Sequence, residues 1–291
     1  LALLTPRERN PLKTSTRGTG ELISRALDLG VKRIQVGIGG SATNDGGTGM
    51  ARALGVRFLD AGGRQIPEGG GALERLERID VSGLDPRLSE VAVEVACDVD
   101  NPLTGPHGAS HVYGPQKGAT PEMVRRLDAN LKRMAEVIRR DLGVDILTTP
   151  GSGAAGGLGA GLMAYAGGEL RPGVDIVIDV VKLEKRLRGC DLVVAGEGRM
   201  DGQTAYGKTP AGVAKTAARL GIPVVAICGS LGDEPEKVHA VGIHAFFSAL
   251  ESPVDEMELP AKGPGMLERC AAQVARLLAL NLPAMRRVSV R

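Results

Sequence analysis

The sequence predicts an α/β protein built on a parallel, doubly wound sheet. Short apolar runs bounded by Gly or Pro recur along the chain, and segments of helical periodicity lie between and around them. After residue 190 the two kinds alternate, the pattern of strands joined by crossover helices. With 291 residues, 43% of them apolar, the chain can bury a large core and is long enough for two domains.

The elements follow in order. RIQVGIGG (33–40) and VAVEVACDVD (91–100) read as buried strands. The clearest helix is 121–142, where Met123, Leu127, Leu131, Met134 and Ile138 form one apolar stripe, with Thr120 as N-cap and Pro121 in the first turn. DIVIDVVKLEKRL (175–187) has a β-branched start that suits a strand, but Ile176, Val180, Leu183 and Leu187 fit a helix, which is the reading preferred. DLVVAGEG (191–198), PVVAICG (223–229) and IHAFFSAL (243–250) are strands, and 210–220 and 266–280 are helices. The RPG turn at 171–173 marks the expected junction between domains 1–170 and 171–291.

Composition excludes several functions. Thirty-six basic and 34 acidic side chains leave a net charge of +2, and no run of like charge is long enough to face a nucleic acid or a lipid surface. Three Tyr and three Phe make a base-stacking platform implausible. No apolar stretch reaches 18 residues and no leader pattern opens the chain, so a cytoplasmic protein is expected. Cys97, Cys190, Cys228 and Cys270 lie far apart without CxxC pairs and are read as packing residues. His107, His111, His239 and His244 have no metal-ligand spacing.

Forty-two glycines, clustered at 37–49, 151–161 and 196–207, point to loops that hold a ligand. GEGRMDGQTAYGKTP (196–210) spells a P-loop, Gly202 followed after four residues by Gly207-Lys208-Thr209. A P-loop glycine follows its strand directly so that backbone N–H groups converge on phosphate, whereas here the strand ends near Ala195 and Glu197, Arg199 and Asp201 intervene. The P-loop is therefore the weaker reading of this stretch. GIGGSA (37–42), with Asp60 downstream, and GSGAAG (151–156) spell dinucleotide fingerprints. The first would put Gly46, Gly47 and Gly49 inside the required helix at about 1 kcal/mol each, and the second follows a poor strand ending in proline. An NAD-dependent dehydrogenase is therefore the weaker alternative.

The remaining polar loop residues suit phosphoryl transfer, in which cations and backbone N–H groups neutralise phosphate, carboxylates hold Mg²⁺ and one carboxylate takes a hydroxyl proton. They are Ser41, Thr43, Asn44 and Asp45; Asp98, Asp100 and Asn101; Lys117; and Glu197, Arg199, Asp201 and Lys208. Asp98 and Asp100, two apart, face one way in extended backbone and could share a cation with Asn101; residues of these types at a strand end also make local turn bonds. For Lys117 and Arg199 a solvated surface position is the commoner fate.

Taken together, NPLKTSTRGTGELI (10–23), GIGGSATNDGGTGMARALG (37–55), ACDVDNPLTGPHGAS (96–110), YGPQKGA (113–119), GSGAAGGLGAGL (151–162) and DLVVAGEGRMDGQTAYGKTPAGVA (191–214) resemble the bacterial glycerate kinase family, which is unrelated to P-loop kinases. The resemblance spans essentially the whole chain. It implies ATP- and Mg²⁺-dependent phosphorylation of D-glycerate, generally on the 2-hydroxyl, in organic-acid and glyoxylate catabolism. It also implies two α/β domains, one doubly wound and flavodoxin- or Rossmann-like (here its C-terminal part, 171–291) and one inserted (1–170), with the site in the cleft between them. On this reading Asp201 is the base, with Asp45 second, and Asp98 and Asp100 hold Mg²⁺. Lys117, Arg199 and Lys208 clamp anions, and Ser41, Thr43, Asn44, Asn101, Glu197, Gly196 and Gly198 line the substrate and nucleotide sites. The partners expected are small molecules, with a homodimer admitted. Family members begin upstream of Leu1, by about a quarter of a full-length chain. A chain lacking that segment is expected to expose strand edges and to be poorly soluble or inactive, a non-catalytic remnant being the alternative.

Overall fold

The computed structural model describes residues 1–280, which divide into two units, Leu1–Ile176 and Val177 onward. In the first, helix α1 (Arg17–Asp28) leads to strand β1 (Arg33–Gly37), and α2 (Thr48–Ala53) follows the first glycine loop. An antiparallel pair, β2 (Arg57–Leu59) with β3 (Arg78–Asp80), precedes β4 (Ala92–Ala96), α3 (Ala109–Tyr113), α4 (Pro121–Leu142), α5 (Ala154–Ala166) and β5 (Glu169–Arg171). The parallel sheet runs β1-β4-β5, with Ile34 opposite Val93 and Val36 opposite Val95. Glu94 at its centre is buried, but it accepts from Gln35 on β1 and from Arg171 on β5, so the one charge among the apolar positions is matched from both neighbours.

Helix α4 forms as its sequence predicts. Thr120 Oγ1 accepts from the Met123 N–H, Pro121 occupies the first turn, and Gly143 at φ +71° closes the other end by donating to the Arg139 carbonyl. Leu127, Leu131, Met134 and Ile138 are fully buried on its inner face, while Met123 at the rim is only half-buried. Leu131, Met134 and Ile138 join Met50, Leu54 and Phe58 in the core, where the Phe58 and Tyr165 rings meet edge to face at 5.6 Å.

Two of the glycine clusters pack against each other. Gly46 N–H donates to the Gly156 carbonyl at 3.0 Å. A methyl on Gly47 would stand 2.9 Å from Gly161 Cα, and one on Gly161 2.6 Å from the Gly46 carbonyl oxygen. Only residues without a side chain permit backbones to approach this closely. GSGAAG (151–156) is accordingly no dinucleotide turn: Ala155, Gly156 and Gly157 all have positive φ, and the segment before them is not a strand.

The boundary between units falls inside α6 (Gly173–Val180). The second unit continues with α7 (Leu183–Leu187), β6 (Val193–Met200), α8 (Thr209–Arg219), β7 (Val224–Leu231), β8 (Ala245–Ser248) and α9 (Leu259–Ala279). The ambiguous 175–187 segment is thus helical, broken at Lys182 with φ +52°, and the last helix starts earlier than 266. Strands β6-β7-β8 are parallel. Val224, Ala226 and Cys228 face a core that includes Ala214 and Ala217 of α8, while Val225 and Ile227 on the opposite face meet Val274 of α9. Coverage of both faces explains why PVVAICG is apolar without alternation. Cys190 is exposed, a correction to the packing role expected of it, whereas Cys228 is buried. Among the described residues no helix is long and apolar enough to cross a membrane.

Candidate active site

In the first unit a cavity of about 380 Å³ opens where the parallel strands β1 and β4 end, the place where open α/β sheets take ligands. Gly39, Gly40 and Ser41 reach it from the loop after β1, Asp98 from the segment after β4, and Tyr113 and Lys117 from α3 and the turn that follows. Lys117 is not the solvated surface residue its type suggests. It is 1% exposed, and its ammonium donates to the Thr43 carbonyl at 2.8 Å. Burial pushes its pKa down to about 8, against the attraction of the Asp45 carboxylate.

Asp45 and Asn44 are both fully buried. The Asp45 carboxylate accepts from Thr16 N and Oγ1 (2.8 and 2.9 Å) and from Gly47 N and Gly49 N (both 3.2 Å). It therefore ties α1 to the start of α2, and burial raises its pKa in spite of those donors. Its neighbour Asn44 donates to Ser110 Oγ at 3.0 Å. Asp45→Ala would orphan these donors and is expected to cost at least about 3 kcal/mol in a denaturant titration.

Asp98 and Asp100 part company. Both are exposed, but Asp98 lines the cavity and accepts from Gly173 N at 2.7 Å, whereas Asp100 is outside the lining. The strand that was to carry both ends at Ala96, which removes the alternation that placed them on one side. Asn101 is taken up in its own loop, donating to the His107 carbonyl and accepting from Tyr113 at 2.6 Å. Among the described residues no three His, Cys, Asp or Glu side chains form a group able to hold a metal ion.

The second unit has its own cavity, about 390 Å³, beside the middle of β6 and the second half of β7. Gly196, Glu197, Gly198 and Gly229 bring backbone edges to it, and Leu259 and Met266 of α9 give it an apolar wall. Glu197 is fixed by the Thr204 hydroxyl at 2.7 Å, and Arg199 is exposed. Asp201 caps the turn Gly202–Tyr206, accepting from Gln203 N, while Lys208 stands 3.0 Å from its carboxylate. That lysine holds the Asp201 pKa below the usual carboxylate value. The P-loop spelling fails on geometry: β6 runs to Met200, Gly202 begins a short helical turn, and the Lys208 ammonium pairs with Asp201.

Sequence reasoning missed Thr16 and Thr204, whose hydroxyls fix Asp45 and Glu197, and Tyr113, which lines the first cavity. Thr16 and Thr204 each lie inside a quoted sequence block, and the available signal was a hydroxyl within reach of a buried acid.

Comparisons with known proteins agree with this architecture. The family model described as the glycerate kinase family matches residues 1–279. A glycerate kinase of Halalkalibacterium halodurans is 51% identical over 96% of this chain and 73% of its own length. A glycerate 2-kinase of Escherichia coli K12 is 53% identical over 87% of the chain, which covers 66% of that protein. A crystal structure from Salmonella typhimurium LT2, named as a glycerate kinase 2, superposes with a TM-score of 0.84 at 52% identity, covering 96% of this chain and 73% of the other. The chain belongs to the glycerate kinase family.

Proposed function

We propose that this protein transfers the γ-phosphoryl group of ATP to D-glycerate, on the 2-hydroxyl. The carrying observation is that a chain about half identical to glycerate kinases places a buried cation, Lys117, and a carboxylate, Asp98, in one cavity at the ends of parallel strands. The hydroxyl oxygen attacks the γ-phosphorus as the bond to the ADP oxygen breaks, and the hydroxyl proton goes to a carboxylate. Asp201 is assigned that role: Lys208, 3.0 Å away, keeps it ionised. Asp45, with its oxygens occupied by four donors, positions the glycine loop instead.

ATP is assigned to the cavity of the second unit, whose glycine edges and apolar wall suit a purine face, with Glu197, Gly196 and Gly198 beside it and Lys208 and Arg199 supplying cations. Asp98 and Asp100, which the structure does not bring together, do not form a Mg²⁺ site of their own, and an ion would enter with the triphosphate. A bound ion neutralises charge on the transferring group.

An ADP-release assay on the full-length protein tests the reading: ADP should appear only when D-glycerate is present, and its absence removes the kinase. Asp201→Asn should lower kcat by at least about 100-fold with little change in KM. A change confined to KM would make Asp201 a binding group. Protection against heat unfolding by NAD(H) rather than by ATP would favour the dehydrogenase alternative.

A further inference from the structure

We infer that Thr204 is a positioning residue that joins Glu197 and Asp201 into one unit, its buried hydroxyl donating to the Glu197 carboxylate while accepting from the Asp201 backbone N–H. The inference rests on the kinase reading only for what the unit does, which is to hold in place the carboxylate that takes the substrate's hydroxyl proton.

Thr204 is 0% exposed, and its Oγ1 lies 2.7 Å from Glu197 Oε1 and 3.2 Å from Asp201 N. A hydroxyl has one proton to donate, a backbone N–H can only donate, and a carboxylate can only accept. The direction of the chain is therefore set: Asp201 N–H to Thr204 Oγ1, and the Thr204 proton to Glu197. Hydrogen bonds aligned in this way polarise one another, more strongly away from water.

A helix cap accounts for only half of this arrangement. In a capping box the third residue of the helix returns a side-chain acceptor to the N-cap N–H, and that residue is commonly Glu or Gln. The turn Gly202–Tyr206 has such a box, with Asp201 at the N-cap and Thr204 in the third position. A glutamate there would satisfy the Asp201 N–H but would have no proton for Glu197 and would repel it. Threonine closes the box and leaves a donor for a second acid. That acid belongs to another element: Glu197 is in β6 and lines the cavity of the second unit, whereas Asp201 lies past the end of that strand and pairs with Lys208 at 3.0 Å.

The other Glu197 oxygen has no hydrogen-bond partner among the described residues, so a ligand in that cavity can donate to it. Through Thr204, the acid that meets such a ligand and the acid beside Lys208 keep one relative placement.

Thr204→Val keeps the shape of the side chain and removes the link, whereas Thr204→Ser keeps the link. In ADP release by the full-length protein, Thr204→Val should lower kcat at least about tenfold with KM for D-glycerate unchanged, since a reacting group displaced by about 1 Å can lose about 100-fold. Thr204→Ser should stay within about threefold of wild type. On an Asp201→Asn background, adding Thr204→Val should change kcat by less than about twofold, because the two act through one group. A role in folding alone gives another pattern: lower stability in urea, wild-type kcat in the molecules that fold, and effects that multiply.

An NMR measurement needs neither turnover nor a Thr204 variant. In protein isotope-labelled at the aspartate amides, Glu197→Gln should move the Asp201 amide resonance by weakening the acceptor at the far end of the chain. In folded Thr204→Val the same change should leave that resonance in place. Wild-type kcat in folded Thr204→Val, equal losses with and without Asp201→Asn, or an Asp201 amide that ignores Glu197→Gln overturns the inference. Glycerate-dependent ADP release that Thr204→Val leaves intact would end the link and spare the kinase. An Asp201 amide that follows Glu197→Gln in a protein without glycerate-dependent ADP release would do the reverse.

Discussion

Lys117→Met should lower kcat/KM for D-glycerate by at least about 30-fold, because removing one partner of a buried charge pair costs roughly 2–5 kcal/mol. The side chain reaches its cavity through the turn Pro115–Lys117, which ends in Gly118 at φ +88°. The pH dependence should carry the same residue. Its pKa in the folded protein is about 8, lowered from 10.5 by burial, so the ammonium fraction falls as pH rises through 8. Glycerate-dependent kcat/KM should therefore fall on the alkaline side near pH 8, not near 10. Stability should move the other way: the unfolded chain keeps its proton up to 10.5, binds more protons than the folded chain between 8 and 10.5, and so loses ground as pH rises across that window. A kcat/KM profile flat to pH 9.5 would contradict the assignment.

Gly156→Ala should cost more than about 3 kcal/mol or prevent folding, since it combines strain with overlap against backbone. Gly156 sits at φ +70°, and an added methyl would press on the Thr43 carbonyl group and stand 2.8 Å from Asn44 Cα. The Thr43 carbonyl is also the acceptor for Lys117, so the packed glycines and the charged cavity share one segment of backbone. Gly18→Ala provides the contrast. Gly18 lies in α1 with nothing within 4 Å of the added atom, and alanine there should gain about 0.5 kcal/mol. Urea titrations of the two variants check both, and a Gly156→Ala protein as stable as wild type would overturn the packing role given to the glycines.

The sequence was most legible where burial leaves a periodic mark. Strands β4 and β7 carry buried apolar runs, and α4 shows its stripe, cap and terminating glycine in order; β1, β6 and β8 register as apolar runs although much of β1 and β6 is exposed and β8 is only half-buried. The three-residue strands β2, β3 and β5 are too short for a period to register. Helix α5 was hidden by its own composition: GSGAAGGLGAGL reads as a loop, yet its glycines permit a helix to press against Gly46 and Gly47. At the site, residue type named the right inventory but not the tasks within it. A lone lysine gives no sign of burial, and an aspartate among glycines reads equally as ligand or cap. Asp98 and Asp100 are told apart only by where β4 stops.

Phosphorus NMR of the full-length protein incubated with ATP, Mg²⁺ and D-glycerate tests the kinase most directly. ADP and a phosphate monoester of glycerate should accumulate in equal amounts, and neither should form when D-glycerate is omitted. ATP hydrolysis at the same rate with and without D-glycerate, yielding only inorganic phosphate, would contradict the assignment.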